Sequence, residues 1–242
     1  MYWSFLSTSV YKKAAKLFVE STLKVLLEPS GLRTSHNRTR VLVVRSAPRH
    51  NTYRNYIRQT WKKEINREIP VIFVSGRDEY NNQELDRESR QFNDILQLDF
   101  IDSYRNLTLK MMNIYRHMLE STNATQIIVI NDDTIVNASA LKKVLQNAET
   151  NYPNTPYIVG KVSRGYPRLI FPWLPWYVPS AVYPNQCYPV FTQGSSFVIS
   201  AQAASRILES ICDFPTIHLD DVMMGKSSNN KTVTENYPKT IE

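Results

Sequence analysis

The sequence predicts an α/β fold, a mostly parallel sheet flanked by helices, and three observations predict it. From Arg40 onward, short β-branched runs alternate with longer polar–apolar segments, as they do when strands alternate with helices. At 242 residues, 42% of them hydrophobic, the chain can bury one sizeable core but is too short for two average domains and a linker. One apolar run, Ile127-Ile128-Val129-Ile130, ends in the triplet Asn131-Asp132-Asp133, which places carboxylates at the carboxyl edge of a sheet.

The elements follow in order. Residues 1–39 form an N-terminal amphipathic or stem-like segment whose apolar patches are broken by Lys12, Lys13, Lys16, Glu20 and Lys24. It holds no run of ~20 apolar residues able to span a bilayer, and Leu17, Val19, Leu23, Leu26 and Leu27 suggest an amphipathic helix. Val41–Val44 is a buried first strand, Tyr53–Glu64 a helix, and Pro70–Val74 a second strand closed by Ser75-Gly76. Glu79–Asn93 is a charged helix, Ile95–Phe100 a third strand, Tyr104–Glu120 a helix, Gln126–Ile130 a fourth strand and Ser139–Thr150 a helix. Prolines at 153, 156, 167, 172, 175, 179, 184 and 189 then impose loops and short strands. Ser196–Ser200 is a further strand and Ala201–Ser210 a short helix, so the domain runs over 40–226, with 227–242 a flexible tail.

A formal net charge of +7 attracts anions of any kind. The cations are scattered and no nucleic-acid-binding motif accompanies them, so no nucleic-acid partner is expected. Cys187 and Cys212, the two cysteines, lie outside any metal-binding spacing and fit one disulfide or two thiols equally. N-x-S/T tripeptides begin at Asn37, Asn106, Asn123, Asn137 and Asn230, a density that favours a secretory-pathway protein.

Three clusters carry chemistry. In Asn131-Asp132-Asp133, adjacent carboxylates beside a buried strand repel one another and need a cation or basic partners to remain ionised, and oxygen ligands suit magnesium or manganese. The bland alternative is a helix cap at Asp133 or Asn137. In Asp220-Asp221-Val222-Met223-Met224-Gly225, one carboxylate can serve as a general base, with a helix cap again the alternative. In Arg54–Trp61, Arg54 and Arg58 lie one helical turn apart and can clamp phosphate or pair with nearby acids. Aromatics from Tyr166 to Phe191, among them Phe171, Trp173, Trp176 and Tyr177, can wall a pocket for a ring-shaped ligand or form core under the proline-rich loops.

Taken in order, these blocks resemble the galactosyltransferase-type β-1,3-glycosyltransferases, the Fringe-related family of β-1,3-galactosyl- and N-acetylglucosaminyltransferases. Arg54–Trp61 is similar to the family's R-x-x-I-R-x-T-W, and Glu88–Lys110 to its longest motif. Asn131–Asn137 is similar to D-x-D-V-F-V-N, Tyr188–Ser200 to Y-P-x-Y-x-x-G-x-x-Y-x-x-S, and Asp220–Gly225 to E/D-D-V-x-x-G.

The resemblance implies a GT-A-type nucleotide-sugar-binding fold. It also implies inverting transfer of a hexose, galactose or N-acetylhexosamine, from a UDP-sugar to a glycan hydroxyl, with manganese holding the diphosphate. Asp133 corresponds to the metal ligand and Asp221 to the base. Arg54, Arg58, Asp102, Lys110, Asn131, Asp132 and Asp220 would line the donor site, and Gly194 the sugar loop. Residence in the Golgi lumen as a type II membrane protein is implied too, through an anchor this sequence does not display. Asn131 replaces the first Asp of D-x-D and the chain ends at Glu242, ahead of the family's usual end. The alternative expectation is therefore a weakened or inactive member acting as a glycan-binding or chaperone-like protein.

Overall fold

A computed structural model describes residues 23–33 and 39–227. Seven strands form one sheet: β1 (Val25–Leu27), β2 (Arg40–Arg45), β3 (Val71–Arg77), β4 (Ile95–Ile101), β5 (Gln126–Asn131), β6 (Ile158–Ser163) and β7 (Phe191–Ser200). Their order is β1-β4-β3-β2-β5-β7-β6. The central strands β4, β3, β2 and β5 are parallel to one another, while β1, and β7 with β6, pair antiparallel at the two flanks. The α/β class and the mostly parallel sheet are as the sequence predicts.

Helices cover both faces: α1 (Asn51–Gln59), α2 (Lys62–Ile65), α3 (Asn82–Phe92), α4 (Leu107–Ser121), α5 (Ala138–Asn151), α6 (Ala201–Ser210) and α7 (Asp220–Ser227). Alternation within the strands builds two cores. Val41, Val43, Ile127 and Val129 face one side, packed with Met111, Ile114 and Tyr115 of α4, Ala203 and Ile207 of α6, and Met223 of α7. Leu42, Val44, Ile128 and Ile130 face the other, against Ile57 of α1, Leu85 of α3 and Leu145 of α5. Successive side chains of a strand point to opposite faces, so strands buried on both must be apolar throughout.

The chain builds β2, β3 and β4 outward in one direction, then crosses back to place β5 on the other side of β2. In such open sheets the reversal leaves a crevice beyond the carboxyl ends of the two strands. There Arg45, the last residue of β2, is in register with Asn131, the last of β5.

The sequence and the structure differ at the amino-terminal side. Residues 25–27 are a strand, not part of an amphipathic helix, because Val25 and Leu27 pair with Leu98 and Gln97 and close the open edge of β4. Leu17 and Val19 of that expectation, and the tail beyond Ser227, lie outside the described residues. Among the described residues no helix is long and apolar enough to cross a membrane.

Candidate active site

The site grows from Arg45. This cation ends an apolar strand and is buried, and its donors fan out over the crevice. Nε and Nη2 donate to Asn131 Oδ1 at 3.1 and 2.7 Å, Nη1 to Asp220 Oδ2, and Nη2 also to the carbonyl of Gly194. One side chain thus ties the end of β5 to the start of α7 and to the middle of β7. Arg45 is not among the residues the sequence singles out; its signal is a charge closing an otherwise apolar strand at the carboxyl edge of the sheet.

Asp220 and Asp221 are the first two residues of α7. Where α7 crosses β7 the elements nearly touch, since a Cβ on Gly225 would stand 2.5 Å from the Val190 carbonyl oxygen and 2.7 Å from Phe191 Cβ. That close approach accounts for the glycine five residues after Asp220 and fixes the helix against the strand. Asp220 is held by Arg45, whereas Asp221 accepts from the Val222 N–H at 2.8 Å and from the Gly194 N–H. Burial first, then the neighbouring Asp220 charge, pushes the Asp221 carboxyl up to about 6. Beside it, Tyr104 is pushed up to about 12 by desolvation and by Asp221 and Asp220, and its hydroxyl bonds with Trp176.

Asn131-Asp132-Asp133 leaves the sheet in a turn, with each residue differently employed. The Asn131 oxygen has both acceptor positions filled by Arg45. Asp132 Oδ2 lies 2.7 Å from His50 Nδ1, and its backbone N–H donates to the Arg45 carbonyl at 3.2 Å. Asp133 is exposed. The cap reading of Asp133 does not hold, because the helix that follows is capped by Asn137, whose Oδ1 accepts from the Ala140 N–H at 2.9 Å.

A third wall comes from beyond β4. Asp102 Oδ2 accepts from the Gly76 N–H and from Lys110 Nζ, each at 2.8 Å, and Lys110 also donates to the Ser46 carbonyl at 2.8 Å. Burial pulls the Lys110 ammonium down against the opposing pull of Asp102. This pair locks the loop after β2 to the start of α4.

Arg54 and Arg58 need correcting as a phosphate clamp. Arg54 has all five N–H donors spent: on both Glu88 oxygens at 2.7 and 2.6 Å, on Ser46 Oγ at 2.9 Å, and on the carbonyls of Ala47 and Pro48 at 2.7 and 3.0 Å. Arg58 grips Asp94 at 2.9 and 2.7 Å and Glu88 at 2.6 Å, with its guanidinium 4.0 Å from the centre of the Phe92 ring. Both are buried, and Lys62 joins the cluster on Asp94. They brace α1 against α3 and β4 and shape the Ser46–Pro48 loop from behind, with no donor of Arg54 left for a ligand.

The structure therefore brings together Asp102, Lys110, Asn131, Asp132, Asp133, Gly194, Asp220 and Asp221 around the ends of β2 and β5, and adds Arg45 and His50. Among the described residues no group of three or more His, Cys, Asp or Glu side chains forms a metal cage. A hard divalent ion held jointly with a diphosphate needs one or two carboxylates, and Asp133 supplies an exposed one. Five site carboxylates against the fixed cations Arg45 and Lys110 would also repel a bare diphosphate, so the donor set fits a divalent cation bound together with its nucleotide.

A family model described as Galactosyltransferase matches residues 52–238. The chain belongs to the galactosyltransferase family. It is 30% identical over 211 residues to lactosylceramide 1,3-N-acetyl-β-D-glucosaminyltransferase B of Xenopus laevis, covering 81% of this chain and 55% of that protein. To β-1,3-galactosyltransferase 1 of Mus musculus it is 32% identical over 191 residues, covering 76% and 58% respectively. The galactosyltransferase-family chain thus spans little more than half the length of the curated relatives it matches. A solved mannosyltransferase from Pyrobaculum calidifontis, in complex with GDP-Man and Mn2+, aligns with TM-score 0.48 at 10% identity, covering 90% of this chain and 58% of that one.

Proposed function

We propose that this chain binds a UDP-sugar in the crevice between β2 and β5 and transfers its hexose, with inversion, to a glycan hydroxyl in β-1,3 linkage. Family membership supports glycosyl transfer, and the names of the relatives point to galactose or an N-acetylhexosamine. The observation that carries the mechanism is Asp221, a desolvated carboxylate pushed up to about 6 at the edge where the nucleotide-sugar residues converge.

Asp221 takes the proton of the acceptor hydroxyl as that oxygen attacks the anomeric carbon, and the bond from that carbon to the diphosphate breaks, releasing UDP. A base with a pKa near the working pH is both ionised and basic enough to accept the proton. Gly194 and Val222 hold the carboxylate through their N–H groups, and Arg45 holds Asp220 and the Gly194 carbonyl in place. Asp133 would ligate manganese, which supplies Lewis-acid stabilisation of the departing diphosphate when bound. His50 and Asp132, paired at 2.7 Å beside the Asn131 turn, would face the nucleoside. The sequons and the family support the Golgi lumen as the setting for this activity.

A screen of UDP-galactose, UDP-N-acetylglucosamine and UDP-N-acetylgalactosamine with and without manganese, reading released UDP, tests the proposal. The expected result is manganese-dependent release from one donor, lost in both Asp133→Ala and Asp221→Asn. Absence of manganese-dependent UDP binding by calorimetry would overturn it in favour of a non-catalytic, glycan-binding member of the family.

A further inference from the structure

Between Glu149 and Glu209 the sequence has no aspartate or glutamate, yet Lys161, Arg164, Arg168 and Arg206 fall within it. The middle of this acid-free stretch is a proline-braced loop with a firmly anchored inner side. Val178, Val182, Tyr183 and Tyr188 are buried in the core. Arg168 donates to the carbonyls of Val178 and Asn185 at 3.0 and 3.3 Å, Pro167 bridges to Cys187, and His218 Nε2 lies 2.8 Å from the Pro175 carbonyl oxygen. The outer side is the reverse. Tyr166, Ile170, Phe171, Trp173 and Trp176 all face solvent, Trp173 at 77% exposure, and Phe171 packs on Trp173 at 5.0 Å between ring centres instead of entering the core.

A rigid loop that holds large apolar side chains in water signals a surface meant to be covered. We propose that this loop is a peripheral membrane-docking surface for an anionic bilayer. Tryptophan and tyrosine, with an apolar body and a polar edge, suit the headgroup region, while Ile170 and Phe171 suit the acyl boundary below it. Lys161 and Arg164 are exposed, and the sequence places no aspartate or glutamate between Glu149 and Glu209 to oppose an anionic surface. A sugar ring would require a flat face flanked by polar partners, whereas Ile170, Phe171 and Trp173 form a protruding apolar tip. Trp176 meets Tyr104 beside Asp221, so docking would turn the flank of the candidate base toward the membrane. This inference does not depend on the chain being catalytically active.

Vesicles of phosphatidylcholine alone, and of phosphatidylcholine with phosphatidylserine, titrated into the 242-residue chain test it by co-sedimentation and tryptophan emission. The expected result is association with the phosphatidylserine vesicles, with a blue shift in emission and weakening by salt. The double variant Phe171→Ser/Trp173→Ser should lower partitioning by roughly tenfold or more, since each ring removes a large apolar contact, while its thermal midpoint stays that of the wild type. No association with either vesicle, or equal association by the double variant, would overturn the proposal. So would a dimer in lipid-free buffer that the double variant abolishes, because it would give the patch to a second copy of the chain.

Discussion

Replacing Asp221 by Asn should make the protein more stable while abolishing its chemistry, and the pH dependence of that gain can be worked from the site. Burial and the adjacent Asp220 raise the Asp221 carboxyl from 3.8 to about 6. Between those values the folded protein binds more protons than the unfolded chain, so stability falls as pH rises through the window. The whole penalty, about 3 kcal/mol, is in force above pH 6, shrinks to about 1 kcal/mol near pH 4.5, and vanishes below 3.8. The asparagine of the variant carries no charge at any of these pH values and keeps an oxygen for the Val222 N–H, so its advantage should grow from pH 4 to pH 6 and then level off. For a chain of this size the plateau corresponds to a rise in thermal midpoint of roughly 6–12 °C. Differential scanning calorimetry of both proteins without nucleotide, across pH 4 to 8, reads it directly. A stability difference that does not change with pH, or a variant less stable than wild type at pH 8, would refute the desolvated-base account.

Arg54→Met should lose about 3–5 kcal/mol in urea unfolding, because buried Glu88 keeps only Arg58 of its two guanidinium partners and the Ser46, Ala47 and Pro48 acceptors lose their donor; the folded fraction should bind UDP with unchanged affinity by calorimetry, which a phosphate-clamping role would not allow. Arg45→Met should destabilise to a similar extent through Asp220 and, by removing a nearby cation, should shift the acid limb of the transfer-rate profile to higher pH. Gly225→Ala should cost about 1–3 kcal/mol by chemical denaturation and reduce turnover, since the new methyl would force α7 off the Val190–Phe191 backbone and carry Asp221 with it.

The strands β2 to β5 and the helices between them were legible because both cores demand long apolar or amphipathic runs. What escaped was set by partners distant in sequence. β6 was missed because Gly160 and Lys161 break its apolar pattern, yet it forms by pairing with β7. The amino-terminal half of β7, Thr192 to Ser195, is polar and lies outside the strand the sequence predicts, although Phe191 and Thr192 pair with Ser163 and Val162. Helical spacing and the resemblance to the family motif give Arg54 and Arg58 their expected place at the donor site. Their partners, Glu88 and Asp94, come from α3 and from the residue before β4, and only the packed structure shows the guanidinium groups turned inward. The acidic triplet and the Asp220-Asp221 pair were found because carboxylates at strand and helix ends stand out in a sequence. Their joining by Arg45 was not visible, since a register match between β2 and β5 is needed to set Arg45 beside Asn131.

That register also gives Asn131 a meaning the sequence comparison alone could not. A carboxylate at 131 would compete with Asp220 for the Arg45 guanidinium; an amide accepts the same two N–H bonds without claiming the charge. Arg45 and Asp220 then form a one-to-one buried ion pair, which holds the start of α7 in the crevice. Asp221, next in the helix, is left as the desolvated carboxylate with only N–H donors from Val222 and Gly194, and its elevated pKa follows from that assignment. The charge absent at 131 is on the strand side of the crevice, whereas the exposed carboxylate of the triplet, the one proposed to ligate manganese, is that of Asp133. Restoring a carboxylate with Asn131→Asp therefore acts first on Arg45. It should loosen the hold on Asp220 and change the proton affinity of Asp221 before it changes affinity for manganese, an order that pH–rate profiles taken at saturating and limiting manganese will separate.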